Sequence, residues 1–202
     1  MNKSGGLLKY LNNLISAGFI ERSYTWSIKT EKRSSASCFR ICDNYVRFYL
    51  KYIAPNRSTI EKESFSSLIT QLPGWECIMG LQFENLIVHN RKTLWKILGI
   101  SPEEIVMEGP FFQSPTAKQP GCQIDYMSQT RFHNLYLCEI KFSKDSVGNK
   151  IIDDMEKKRT TLKIPRNCSI RPVLIHVNGV EERVVDERYF DKIIDFGELF
   201  SG

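Results

Sequence analysis

Long apolar runs are missing from this chain of 202 residues: none approaches the roughly 18 that a membrane-spanning helix needs. The start, MNKSGGLLKYLNN, lacks the unbroken apolar core of a signal peptide, so a cytoplasmic protein is expected. No C-x-x-C pair occurs among the six cysteines, and CFRIC (Cys38 to Cys42) has neither a second pair nor a histidine cluster to complete a zinc site. Reduced, mostly buried thiols are expected. The three histidines, His89, His133 and His176, are too scattered for a metal site or a catalytic triad. No G-x-x-x-x-G-K-[ST] loop occurs, so ATP hydrolysis by this chain is not expected. Internal repeats and low-complexity segments are also absent.

What remains is ordinary globular material, 42% hydrophobic and 25% charged, enough for one good core or one domain with an appendage. The charge is unevenly placed. Residues 1–60 hold ten Lys and Arg against three acids, a local +7, so the rest of the chain carries −2 of the net +5. A basic segment of this kind suits a polyanion partner or a solvated face.

Periodicity divides the chain further. Leu7, Leu8, Leu11, Leu14 and Ile15 fall at helical spacing, with Gly18 as C-cap before a short strand, FIERSYTW. SIKTEKRSSAS reads as the basic tip of a hairpin that returns through CFRIC. A helix, NYVRFYLKYIAP, follows and is expected to stop at Pro55, with the aromatics Tyr45, Phe48, Tyr49 and Tyr52 forming a packed face. This is the back half of a winged helix with its first helices missing, as expected of the C-terminal piece of something longer or of a chain whose start has been remodelled. NRSTIEKESFSS then reads as a linker. From Trp75 to Leu98 the stripe Met79, Phe83, Leu86, Ile87, Asn90 and Leu94 predicts one helix, with Glu84 at its edge. EIVMEGPFF, CQIDYMSQ and LYLCEIKFS predict three strands. VGNKIIDDMEKKRTTLK predicts a helix through Val147, Ile151, Met155 and Leu162, and RPVLIHVNG a buried central strand.

Charges inside two of these strands carry the functional reading. Alternation puts Leu135, Leu137, Glu139 and Lys141 on one face, and Gln123, Asp125 and Met127 on one face of the preceding strand. If the two pair as a hairpin through the polar turn SQTRFHN, Asp125 and Glu139 become neighbours with Lys141 beside them. Paired carboxylates suit Mg²⁺ or Mn²⁺, and a lysine beside such an ion can hold or help deprotonate a water, which is phosphodiester hydrolysis chemistry. A cross-strand salt-bridge ladder is the competing reading. Lys157, Lys158 and Arg159, in EKKRTTLKIPR, lie near this site and suit backbone phosphates, as do Lys29, Lys32 and Arg33 of the hairpin, flanked by Tyr24 and Trp26. A solvated helix face and simple packing of Trp26 are the alternatives.

The constellation resembles the PD-(D/E)XK nuclease superfamily, with an acid on the first helix (Glu84 in FEN), an acid on the second strand (Asp125 in QID) and Glu139-Ile140-Lys141 as E-x-K on the third. More narrowly, RICDNYVRFYLKYI, FEN, QID and EIKF look like the C-terminal half of a family of archaeal and bacterial AAA-type ATPases, in which an ATPase module precedes a winged helix and a nuclease-like domain. The resemblance runs from about Leu7 to Val177. It departs in lacking the ATPase module and the first part of the winged helix, and in having Ile124 where a proline usually precedes the acid.

The resemblance implies an α/β fold: a restriction-endonuclease-like α-β-β-β-α-β core behind a truncated N-terminal winged-helix-like segment. The expected division is 1–57 for that segment and its following helix, 58–74 for a linker, and 75–202 for the nuclease-like domain. Asp125 and Glu139 are expected as Mg²⁺ or Mn²⁺ ligands, Lys141 on the attacking water, Glu84 assisting, and DNA as partner. A homodimer or a separate ATPase chain is a further expected partner, no membrane is, and an inactive binding or assembly module is the alternative function.

Overall fold

The computed structural model describes residues 4–66, 71–117 and 119–200. Helix α1 (Ser4–Ser16) leads into a hairpin of β1 (Ile20–Ser27) and β2 (Lys32–Ile41). Then come α2 (Asn44–Phe48), a wide π-helical turn (Tyr49–Ile53) and α3 (Ala54–Glu61). The larger part contains α4 (Trp75–His89), α5 (Arg91–Ile97), β3 (Ile105–Gln113), β4 (Cys122–Thr130), β5 (Asn134–Lys141), α6 (Lys150–Thr161), β6 (Ser169–His176), α7 (Glu182–Asp186) and β7 (Lys192–Asp195). No helix among the described residues is long and apolar enough to cross a membrane.

The five strands β3 to β7 form one sheet in sequence order. β3, β4 and β5 run antiparallel, whereas β5, β6 and β7 are parallel. With α4 and α5 before the sheet and α6 between β5 and β6, this is a restriction-endonuclease-like α/β core, in the α-β-β-β-α-β order expected. β6, expected as the central strand, is a buried interior strand between β5 and the edge strand β7: Val173, Leu174 and Ile175 are fully enclosed, Leu174 on one face and its two neighbours on the other. On the Leu174 face α6 lays down Ile151, Ile152, Met155 and Leu162, joined by Trp26 and Ile28 of the hairpin. On the other face α4 and α5 contribute Phe83, Ile87, Val88 and Leu94.

Several local expectations are corrected. Pro55 does not end its helix: the wide turn delivers it to the first turn of α3, where a missing N–H costs least, and the helix runs on into the supposed linker. Tyr52 is buried there beside Phe48, but Tyr45 points to solvent. The single helix from Trp75 breaks at Asn90, whose side chain caps back onto the Leu86 carbonyl. The hairpin tip is short, because Lys32 and Arg33 already pair with Ser27 and Trp26. Only Cys122 and Cys138 of the six free cysteines are buried, while Cys38 and Cys77 are exposed. The SQT of the predicted turn belongs to β4, since all three residues find partners indoors: Ser128 accepts from Trp95 Nε1, Gln129 binds the hairpin, and Thr130 Oγ1 accepts from Asn134. β7 was not anticipated.

The hairpin is strapped to the sheet. Trp26 Nε1 donates to Gln129 Oε1 (3.0 Å), Gln129 Nε2 donates to the Ile28 carbonyl (2.9 Å), and Thr25 Oγ1 donates to the Phe112 carbonyl (2.6 Å). Trp26 also meets Phe111 edge-to-face at 5.0 Å. Truncating it leaves a cavity and Gln129 Oε1 without its donor, so Trp26→Ala is expected to cost about 3–5 kcal/mol in urea unfolding. An unchanged midpoint would mean that the hairpin is an independent arm.

Candidate active site

The antiparallel register from Gln129↔Leu135 to Tyr126↔Cys138 brings Asp125 and Glu139 to the next position along β4 and β5. A β-bulge then aims Asp125. Between Gly109↔Met127 and Phe111↔Ile124, β3 advances two residues while β4 advances three, so Asp125 and Tyr126 together oppose Pro110. Proline cannot donate to the ladder, and the edge strand β3 is where a bulge can absorb it. Strict alternation is lost as a result. Met127 shares its face with Ile124 and Cys122, which corrects the expected Gln123, Asp125, Met127 series. The Asp125 carboxylate instead accepts the Ile140 N–H at 2.9 Å, inside the E-x-K segment.

Glu139 is 2% exposed. Such a carboxylate stays ionised only with direct compensation. Lys141 Nζ lies 2.8 Å from one oxygen, and Lys158 Nζ, from α6, contacts the other. Asp125, Glu139, Lys141, Asp154, Lys157 and Lys158 line one cleft, with Gln123 and Thr161 at its sides. Lys141 is held above its ordinary pKa: burial opposes this, but the charge of Glu139 and the hydrogen bond to it prevail, so Lys141 is a cation at neutral pH. Burial first, and then the field of Glu139, push Asp125 upward, while Lys158 and the Ile140 N–H pull it back.

Glu84, on α4, belongs to the same electrostatic group. Burial, then repulsion from Asp125, raise its pKa to about 7, against the opposing pull of Arg40, Arg47 and Lys141. The adjacent Asn85 is fully buried and donates to the carbonyls of Ile41 and Cys42, which ties this turn of α4 to the end of β2. Arg40 and Arg47 are neighbours that sequence reasoning did not single out.

The structure separates the other expected site residues. Lys158 is committed to Glu139, and the sequence held the signal: Ile151, Met155, Lys158 and Leu162 are spaced as one helical stripe, so a lysine within it must face the sheet. Lys157 lines the cleft from its exposed side. Arg159 grips Glu156 through two hydrogen bonds of 2.7 Å, and Tyr189 donates to the same carboxylate. Lys29, Lys32 and Arg33 do not form one patch. Arg33 stacks 3.4 Å above Tyr24 on the side of Arg91 and Glu108, whereas Lys29 lines a groove beside β3 and Lys32 stands exposed.

Among the described residues no three His, Cys, Asp or Glu side chains form a metal-binding group. Asp125, Glu139 and Asp154 are the carboxylates that line the cleft. Mg²⁺ typically takes one or two carboxylates and completes its shell with water and substrate phosphate, so Asp125 and Glu139 could supply its protein ligands.

No family model matches the chain. An uncharacterized protein of Methanocaldococcus jannaschii is 43% identical over 65 residues, a match covering 31% of this chain and 14% of that protein's length. The chain is also similar to the crystal structure of a repair endonuclease from Pyrococcus abyssi, at 15% identity and a TM-score of 0.37, over 55% of this chain and 44% of that one.

Glu84 sets a pH dependence. Its folded pKa lies above the ordinary carboxylate value, so its contribution to stability is full below about 4.5 and is lost as pH rises through about 7. Glu84→Gln is expected to match wild type in melting temperature near pH 4 and to exceed it at pH 8. Parallel curves across that range would refute the assignment.

Proposed function

We propose that the chain is a metal-dependent phosphodiesterase acting on DNA, of the nuclease-like kind. The observation that carries this reading is the convergence of Asp125, Glu139 and Lys141 on one cleft through adjacent strand positions and a bulge. Asp125 and Glu139 would hold Mg²⁺ or Mn²⁺, which supplies Lewis-acid stabilisation of phosphate charge and a more acidic water. Lys141, protonated at neutral pH, donates to the attacking water or to a phosphate oxygen and does not act as the base. Glu84 is not among the residues that line the cleft and would assist from α4 through its charge coupling to Asp125. Water adds to phosphorus and gives up its proton to solvent, the bond to the leaving sugar oxygen breaks and that oxygen takes a proton from solvent, and a phosphomonoester and a hydroxyl result.

One observation favours the alternative of an inactive binding or assembly module. Helix α1 leaves Leu7 (62% exposed), Leu8 and Leu14 in solvent, as expected of a face that docks a second copy or a separate ATPase chain. This fits the proposed likeness to the C-terminal region of an AAA-type ATPase, with α1 and the hairpin as its winged-helix-like part.

Cleavage of supercoiled plasmid in Mg²⁺ or Mn²⁺ separates the two readings. Wild type should nick, Asp125→Ala purified identically should not, and Lys141→Ala should be slower by about 100-fold or more. Equal products from wild type and Asp125→Ala, or none from either, would leave the module reading standing.

A further inference from the structure

Two further depressions adjoin the cleft in series, each sharing a lining residue with the one before it. The first shares Thr161 with it and passes Gln119, Pro120 and Thr160 to Lys163. The second shares Lys163 and runs between the hairpin and β3, over Ile28, Phe111 and Phe112, to Lys29. The wall between cleft and groove is braced: Gln113 Nε2 and Gln119 Nε2 both donate to the Thr161 carbonyl at the end of α6, and Gln113 Oε1 accepts the Lys163 N–H. Among the described residues no carboxylate lines either depression.

Cations along this route are free, unlike the pair in the cleft and their neighbour on α6: Lys141 and Lys158 are ion-paired to Glu139, and Arg159 to Glu156. Lys157, Lys163 and Lys29 are exposed and form no ion pair with any described residue. Unpaired charges of one sign along adjoining depressions raise the local potential for an extended anion. Beyond Lys163 the lining is mostly apolar and aromatic, which a duplex edged with phosphates on both sides does not use. An unpaired base can enter it.

We propose that this route is a binding track for single-stranded nucleic acid leaving the cleft, with backbone phosphates on Lys157, Lys163 and Lys29 and a base in the groove beside Phe112. The proposal rests on the phosphodiesterase reading for the strand's entry point and adds the substrate class, a polynucleotide with an unpaired extension.

Fluorescence anisotropy of the full chain in EDTA tests it. The probes are labelled single strands of about 16 and about 4 nucleotides, the range that such grooves cover, and a duplex of the longer one. Wild type should bind the long strand more tightly than the duplex. The double variant Lys29→Gln/Lys163→Gln should bind the long strand on the order of 10-fold more weakly at low salt, with a salt slope lower by about 1.4, and the short strand unchanged. Lys92→Gln/Lys96→Gln, an equal charge loss on the exposed side of α5, should behave as wild type. Unchanged binding in the double variant, an equal loss in the control, a preference for duplex, or no binding by wild type each overturns the track. The two readings fail separately. Long-strand binding through Lys29 and Lys163 with no cleavage sinks the phosphodiesterase alone, whereas normal cleavage with unchanged binding in the double variant sinks the track alone.

Discussion

A carboxylate enclosed as fully as that of Glu139 is tolerable only with both oxygens satisfied, and that requirement organises the molecule around it. One ammonium comes from two residues along the same strand and the other from a helix that must lie across the sheet in one register. The apolar stripe Ile151, Met155 and Leu162 seats α6, and Lys158 rides inside that stripe, so packing and charge neutralisation demand the same placement. The neighbouring acids answer to burial first and then to the same field. Burial and the charge of Glu139 push Asp125 upward, and burial and the charge of Asp125 push Glu84 upward in turn.

Around this centre the structure divides rigid from open. The bulge opposite Pro110 and the Ile140 N–H orient Asp125, and the buried Asn85 holds the Glu84 turn of α4 against the end of β2. Trp26, Gln129 and Thr25 strap the hairpin to the edge of the sheet, which makes a groove where a projecting arm would have left solvent. The cleft itself remains open along α6, bordered by cations of two kinds: those neutralised by Glu139 and those left to solvent.

Much of the core was legible because its signals are local. The 3.6-residue stripe of α6, the β-branched run of β6 and the alternation of β5 each follow from a single segment, and the α/β architecture follows from their order. Even the pairing of Asp125 with Glu139 was readable, since a hairpin with a short connection between its strands sets its own register. The N-terminal region was harder. A π-helical turn that carries a helix past Pro55, and polar residues such as Gln129 that stay in a strand because a distant hairpin satisfies them, leave no mark within their own segments.

The residue types that the proposed chemistry calls for, the strands that carry them and the face on which Glu139 and Lys141 lie were determined by the sequence itself, through periods that need no distant partner. Tertiary structure alone decided which cations are spent on Glu139 and Glu156 and which remain free, how far burial lifts Glu84, and whether the hairpin lies down or stands out. Those outcomes depend on distances and burial between segments remote along the chain, and electrostatic energies in a protein change steeply with both.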